Sequence, residues 1–210
     1  MKKLSPVTKF GVLALFLGMS STSRAALITT TFNGSNGSGG ITGGNWTFMF
    51  NLTVANTGGI TFDAFTVNVA QSASHTLDVY VRPTTYLGFE NTPAAWTLVS
   101  SGSSGPGSNA NGPVFIDVAN FSLAAGTYGF ALVNTNYQAW ITFGSNNYSN
   151  SDIAIETGAV ISGPLSGGTA SSTATWNGSI DYAVIPEPSS GFLIFSAVGF
   201  ILVNRKRVKS

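Results

Sequence analysis

The sequence predicts an all-β protein, and three observations lead to this fold class. Apolar and polar residues alternate with a period of two along much of the chain, as in half-buried strands. Clusters of Gly, Ser, Asn and Pro separate these segments, notably at 33–40, 100–112 and 162–172. Between the chain ends, no stretch of ten or more residues places apolar residues at helical spacing. We therefore expect a two-sheet antiparallel β-sandwich of jelly-roll type.

The candidate strands are the segments where alternation is clearest: 45–54, 59–70, 75–82, 113–118, 126–132, 152–156 and 178–184. Within 59–70 the alternation slips by one residue after Ala64, which predicts a bulge or a strand that changes sheets. Trp46 lies on the apolar face of its strand, so we expect it in the core. We expect four aspartates that alternate with apolar neighbours to be solvated on the outer face: Asp63, Asp78, Asp117 and Asp181.

Charge is scarce and unevenly distributed along the 210 residues. Eight of the nine Lys and Arg lie near the two ends, so residues 26–184 carry Arg82 against seven carboxylates, a net charge of −6. Phosphate binding requires clustered basic residues, which excludes nucleic acid as a partner of this segment. The chain contains no cysteine, which excludes disulfides and thiolate chemistry.

The N-terminus has the pattern of a secretory signal peptide over residues 1–25. Three lysines precede the apolar run 10–19, and Ser23 and Ala25 occupy the positions that a signal peptidase reads. Ten apolar residues are too few to cross a bilayer, although an uncleaved anchor is the alternative. We therefore expect residues 26–184 to form an exported domain.

The residue inventory argues against catalysis, a cofactor or a metal. His75 is the single histidine, it stands at a strand start, and we expect it at the surface or a sheet edge. No G-x-S-x-G elbow and no clustered His or Cys ligands are present. Asp152 and Glu156 would lie roughly 13 Å apart on a strand, beyond the spacing that glycosidases use.

Two weaker features leave ligand binding open. The segment NYSNSDIAIE, 147–156, is a conceivable calcium loop, but it lacks a spaced ligand set and is read as a turn entering a strand. Tyr80 shares a polar strand face with Asp78 and Arg82, so it is the candidate aromatic for stacking on a sugar. The alternative is that Tyr80 is an ordinary strand residue.

The C-terminus combines three features in 185–210. Pro186, Glu187 and Pro188 form an extended Pro-Glu-Pro tripeptide, and 191–203 follows without a charge. As a helix those 13 residues would span about 20 Å, against about 30 Å for a hydrocarbon core. Four basic residues then favour a cytoplasmic C-terminus: Arg205, Lys206, Arg207 and Lys209.

This arrangement resembles the PEP-CTERM sorting tail of exported bacterial proteins. The resemblance implies a short transmembrane helix and recognition of Pro186, Glu187 and Pro188 by an exosortase, a membrane enzyme that passes its substrates toward the cell surface. More loosely, 77–102 and 174–184 resemble β-sandwich ectodomains that precede such tails. A plain single-span anchor is the alternative reading of the tail.

Together these features predict a protein that signal peptidase and exosortase process. It would be tethered to the inner membrane in transit and then reach the cell surface or extracellular matrix. There we expect a structural or adhesive role in an exopolysaccharide or biofilm matrix, without enzyme activity. The alternatives are a carbohydrate-binding module for exopolysaccharide and, more remotely, a glycan-acting enzyme.

Overall fold

The computed structural model describes residues 23–31, 39–42, 44–70, 74–104, 112–134, 136–144, 146–165, 170–172 and 174–187. Most of the predicted signal peptide, Pro188, the apolar run and the basic residues Arg205, Lys206, Arg207 and Lys209 lie outside these ranges. Within them, no helix is long and apolar enough to cross a membrane.

The described residues form fourteen strands and one 3-10 turn, Pro93–Ala95. The strands are β1 Arg24–Thr29, β2 Gly39–Ile41, β3 Trp46–Val54, β4 Ile60–Val69, β5 Thr76–Pro83, β6 Thr97–Ser103, β7 Gly112–Leu123, β8 Gly126–Asn134, β9 Trp140–Phe143, β10 Asn147–Ser149, β11 Ile153–Ile161, β12 Ala170–Ser172, β13 Ala174–Trp176 and β14 Gly178–Val184.

Strand pairing is antiparallel throughout the described chain, so the prediction of an all-β antiparallel fold is confirmed. Most strands form one continuous path, β1-β14-β4-β7-β6-β5-β8-β3-β11-β10, with β12 paired to β11. The remaining strands form a small sheet, β13-β9-β2. The large sheet is continuous because Gly102 and Ser103 of β6 pair with Val118 and Asp117 of β7.

The large sheet curls until its first and last strands approach each other. Phe62 of β4 and Phe130 of β8 lie four places apart in the strand order, yet their ring centroids are 5.5 Å apart. From the small sheet, Trp176 stacks on Phe50 of β3 at 5.8 Å. The main core therefore lies inside the curl and is covered on one side by the small sheet.

Burial follows the alternation that predicted the strands. In β5, Leu77, Val79 and Val81 are buried and the residues between them are half-exposed. Trp46 is fully buried, as expected. The predicted bulge is confirmed, because the register of β4 with β7 shifts between Phe62 and Ala64.

All three predicted loops contain strand residues, since β2 begins at Gly39 inside the predicted loop 33–40. β6 begins at Thr97 and extends into the predicted loop 100–112, and β12 lies in the predicted loop 162–172. Apart from Leu98 and Val99, the residues of β6 are Thr, Ser and Gly, so apolar alternation does not mark it. It is held instead by pairing with β5 and by the buried Ser100, whose hydroxyl donates to the Ala119 carbonyl at 2.5 Å.

Candidate functional site

A second apolar cluster lies outside the main core, on the outer face of the large sheet. We call this group the outer cluster, and its buried members are Met49, Tyr86, Trp96, Ala131, Val133, Ala159, Ile161 and Leu165. β3, β8 and β11 supply the sheet residues, while Tyr86 and Trp96 come from the segment 84–96 between β5 and β6. That segment folds back over the sheet, so the side chains of Tyr86 and Trp96 are buried against the outer face.

Internal hydrogen bonds shape the segment 84–96. Phe89 N–H donates to the Tyr86 carbonyl at 3.0 Å, and Trp96 Nε1 donates to the Phe89 carbonyl at 3.0 Å. The Tyr86 N–H reaches the sheet itself, donating to Asn51 Oδ1 of β3 at 3.1 Å. These contacts give Tyr86 and Trp96 fixed positions on β3, β8 and β11.

Two glycines allow the segment to approach the sheet closely. A Cβ on Gly129 of β8 would lie 2.6 Å from the Tyr86 nitrogen. A Cβ on Gly158 of β11 would lie 2.1 Å from the Met49 carbonyl oxygen and 2.8 Å from Cζ of Tyr86. Any larger residue would force backbone apart, so glycine is required at both positions.

Arg82 adds a cation beside the outer cluster. Its guanidinium carbon lies 3.4 Å from the ring centroid of Phe89, which is a cation–π contact. Its Nε and Nη1 atoms are buried and make no hydrogen bond in the described structure. The stem of Arg82 passes close to Gly129, so β5 and β8 together direct the guanidinium toward the segment 84–96.

Acidic residues surround the two tyrosines of this region. Burial and then the Asp78 carboxylate raise the pKa of Tyr80. Burial, and then Glu90 and Glu156, raise the pKa of Tyr86. Both phenols therefore stay protonated around neutral pH.

Tyr80, the predicted sugar-stacking aromatic, lies half-buried on β5 and packs against the outer cluster. It shares its face with Asp78 and Arg82, as the alternation indicated. Among the described aromatics, Phe115 and Phe143 are more exposed, at 56% and 58%. Sequence reasoning did not identify Tyr86, Trp96 or Phe89 as neighbours of Tyr80, because the segment that carries them has no periodicity.

His75 does not lie at the surface, and that prediction is wrong. Its side chain is fully buried, its Nδ1 lies 3.2 Å from the Ser104 hydroxyl, and its ring meets Tyr137 edge-on at 4.5 Å. Ser104 directly follows β6 and Tyr137 precedes β9, so residues distant in sequence enclose the ring.

The conceivable calcium loop has the geometry of a turn that leads into β11. Asn150 Oδ1 accepts hydrogen bonds from the N–H groups of Asp152 and Ile153, at 2.9 and 3.0 Å. Asp152 is buried and accepts a hydrogen bond from the Tyr182 hydroxyl at 3.2 Å, whereas Glu156 is exposed and accepts from Asn51. No three His, Asp or Glu side chains of the described residues come together as a metal site.

The two predicted processing sites lie next to each other at one end of the large sheet. Arg24 and Ala25 of β1 pair with Val184 and Ala183 of β14, and the Ser23 hydroxyl donates to the Val184 carbonyl at 3.1 Å. After β14, the Ile185 N–H donates to the Gly59 carbonyl at 3.0 Å. Pro186 and the exposed Glu187 then leave the sheet.

No protein-family model matches the chain, and the comparison with curated proteins and with solved structures finds no match either.

Proposed function

We propose that the chain is an exported surface or extracellular-matrix protein, sorted through its C-terminal tail, with a structural or adhesive role in an exopolysaccharide or biofilm matrix. The observation that carries this proposal is the tail itself, in which Pro186, Glu187 and Pro188 precede a short apolar run and a basic end. Its resemblance to a PEP-CTERM signal makes an exosortase the expected processing partner. The signal-like residues 1–25 supply the route of export through the inner membrane.

The position of Pro186 and Glu187 relative to the last strand supports this proposal. The last strand ends at Val184, two residues before Pro186, so the tripeptide begins outside the hydrogen-bonded sheet. Glu187 is exposed, which an enzyme that reads an extended segment requires. Arg24 and Ala25 at the start of β1 pair with Val184 and Ala183 of β14, so the two proposed processing sites would lie at the same end of the sheet.

Mass spectrometry of the mature protein from its native host tests the sorting proposal. We expect the N-terminus to begin after residue 25 and the C-terminus to end at or near Pro186–Pro188. Mature protein that still ends in RKRVKS in a host with an intact exosortase would contradict sorting and favour the plain anchor. A variant with Glu187→Gln gives the matched control, because it keeps the flanking prolines and removes the charge.

A structural role agrees with how the described polar residues are used. The histidine is buried, and Asp78 and Asp152 accept hydrogen bonds from Ser101 and Tyr182 respectively. These interactions stabilise turns and strand pairs. We further interpret the curled large sheet, with the small sheet against it, as a two-layer sandwich of jelly-roll type, preceded by the signal peptide and followed by the short helix.

Carbohydrate binding is the second candidate, and the outer cluster is the observation that favours it. Tyr80 and Arg82 are half-buried beside this cluster, and the carboxylates of Asp78, Glu90 and Glu156 lie near Tyr80 or Tyr86. Such mixtures of aromatic surface and polar groups are suited to sugars.

A glycan array with the mature protein separates the two roles. Binding that Tyr80→Ala abolishes and Phe115→Ala leaves unchanged would favour the carbohydrate-binding module, because both residues are aromatic but only Tyr80 borders the outer cluster. Absence of binding to any exopolysaccharide would favour the structural role. Turnover of a polysaccharide by the mature protein would overturn both in favour of an enzyme.

A further inference from the structure

The first strand is joined to the large sheet along one edge. All six residues of β1 pair with β14, from Arg24 opposite Val184 to Thr29 opposite Ser179. The other edge of β1 faces β10, and in the described chain the hydrogen bonds across this seam involve side chains. Asn150 Nδ2 donates to the Leu27 carbonyl at 3.5 Å, and the hydroxyls of Thr31 and Tyr148 are in contact.

Little apolar packing fixes β1 in place. Ile28 is its one buried side chain, whereas Leu27 is 53% exposed. Thr30 completes the attachment by donating to the Trp176 carbonyl and accepting from the Gly178 N–H at 2.9 Å. The attachment therefore depends mainly on backbone hydrogen bonds in a fixed register, which a strand from any copy of the chain can make equally well.

The covalent connections of β1 also suit exchange. Residues 33–38, which lie between β1 and β2, consist entirely of Gly, Ser and Asn, a composition typical of linkers. The eight residues 31–38 lie between Thr30 and β2, and a fully extended chain of this length would reach at most about 27 Å. The proposed processing after Ala25 would remove Arg24 and Ala25 from β1, and Ala26–Thr29 would then begin the mature chain.

We propose that β1 is exchanged between copies of this chain: β1 of one copy pairs with β14 of the next in the register seen within one chain. The contacts within and between chains are the same, so the concentration of copies decides which form dominates. Repeated exchange links copies into a chain. This inference supplies the proposed matrix role with a mode of assembly, and its test does not depend on processing of the tail.

The absence of cysteine allows a direct cross-linking test. Leu27 and Asp181 are register partners across β1 and β14, and Thr61 and Ser122 are partners across β4 and β7 in the interior of the sheet. The full chain is produced in a host that exports it. Leu27→Cys and Asp181→Cys proteins are mixed at increasing concentration and oxidised, beside a matched mixture of Thr61→Cys and Ser122→Cys proteins.

We expect disulfide-linked species of the first mixture to rise with concentration, to at least about tenfold above the second mixture, because β4 and β7 have no free partner to exchange. The double variant L27C/D181C, oxidised when dilute, should become an internally linked monomer that no longer assembles. Cross-linking of the first mixture at the level of the second would overturn the proposal. Failure of the double variant to form its internal disulfide would contradict the register on which the proposal rests.

Discussion

The outer cluster and the first strand are attached to the same sheet in opposite ways. The segment 84–96 is attached through side chains of particular shape, with Tyr86 and Trp96 seated where Gly129 and Gly158 leave room. β1 is attached mainly through backbone hydrogen bonds, with Ile28 buried in the core and Ala26 partly buried against it. Side chains that fit a particular site specify one partner, whereas backbone hydrogen bonds specify only the register in which two strands pair. The first suits a fixed surface and the second suits exchange.

Gly158→Ala should cause the largest loss of stability, because the added methyl group would fill the space that lets the strands and Tyr86 approach each other. The added Cβ would meet the Met49 carbonyl at 2.1 Å, and backbone on both sides cannot yield without separating β3 from β11. We expect the free energy of unfolding to fall by about 3 kcal/mol in a denaturant titration. Gly44→Ala is the control, since no atom lies within 4 Å of its Cβ position. Equal stabilities for the two variants would refute the close approach at Gly158.

Thr30→Val should have an intermediate effect on stability, because it weakens the attachment at the end of the first strand. The substitution keeps the size of the side chain but leaves the Gly178 N–H without its acceptor, at a cost of about 1–2 kcal/mol. Thr53→Val is the control, because the Thr53 hydroxyl contacts the Thr127 hydroxyl at an exposed position. Thermal unfolding of both variants measures the difference, and a larger loss for Thr53→Val would contradict the role of Thr30.

Alkaline pH should lower the free energy of unfolding, in part through Tyr86 of the outer cluster. The pKa of Tyr86 is raised, so the folded state retains the phenolic proton longer than the unfolded chain, and stability falls as pH rises above about 10. Tyr86→Phe should reduce this loss by less than about 1 kcal/mol at pH 10.5, because that pH is only about half a unit above the usual tyrosine pKa. Urea titrations at pH 8 and 10.5 measure it, and an unchanged pH dependence would exclude the proposed surroundings of the phenol.

A smaller pH effect belongs to the edge beside β1. Burial and then Asp63 raise the pKa of Asp181, so this carboxyl holds its proton more tightly when folded. Its contribution to stability is therefore lost as pH rises through the interval above its usual value near 3.8. Asp181→Asn should raise stability at pH 7 by less than about 0.5 kcal/mol and leave stability at pH 3 nearly unchanged. A variant that is less stable at pH 7 would contradict the repulsion from Asp63.

Sequence patterns predicted the parts of the fold that depend on one buried face. β5 alternates because one of its faces is buried in the main core, and the slip after Ala64 lies next to the bulge of β4. β6 escaped prediction because most of its residues are Thr, Ser and Gly and backbone pairing holds it. A strand with one buried face shows alternating apolar residues in its sequence, whereas a strand held by backbone pairing need not.

The candidate site was harder to predict than the strands for a related reason. The shared face of Asp78, Tyr80 and Arg82 followed from alternation along β5. The segment that brings Phe89 over Arg82 is irregular, and its position depends on Gly129 and Gly158, which are distant in sequence. His75 was misplaced because its cover comes from Tyr137 and Ser104, which likewise lie far along the chain.

Native-state hydrogen exchange is the most direct test of the contrast between a fixed outer face and an exchangeable first strand. The paired amides of β1 should open at a free energy at least about 2 kcal/mol below those of β8, which is paired on both sides with β3 and β5. Their exchange should also be insensitive to low denaturant, as expected for a local opening. If the amides of β1 exchanged together with those of β8 in one global unfolding, the first strand would be as fixed as the rest of the sheet, contrary to this account.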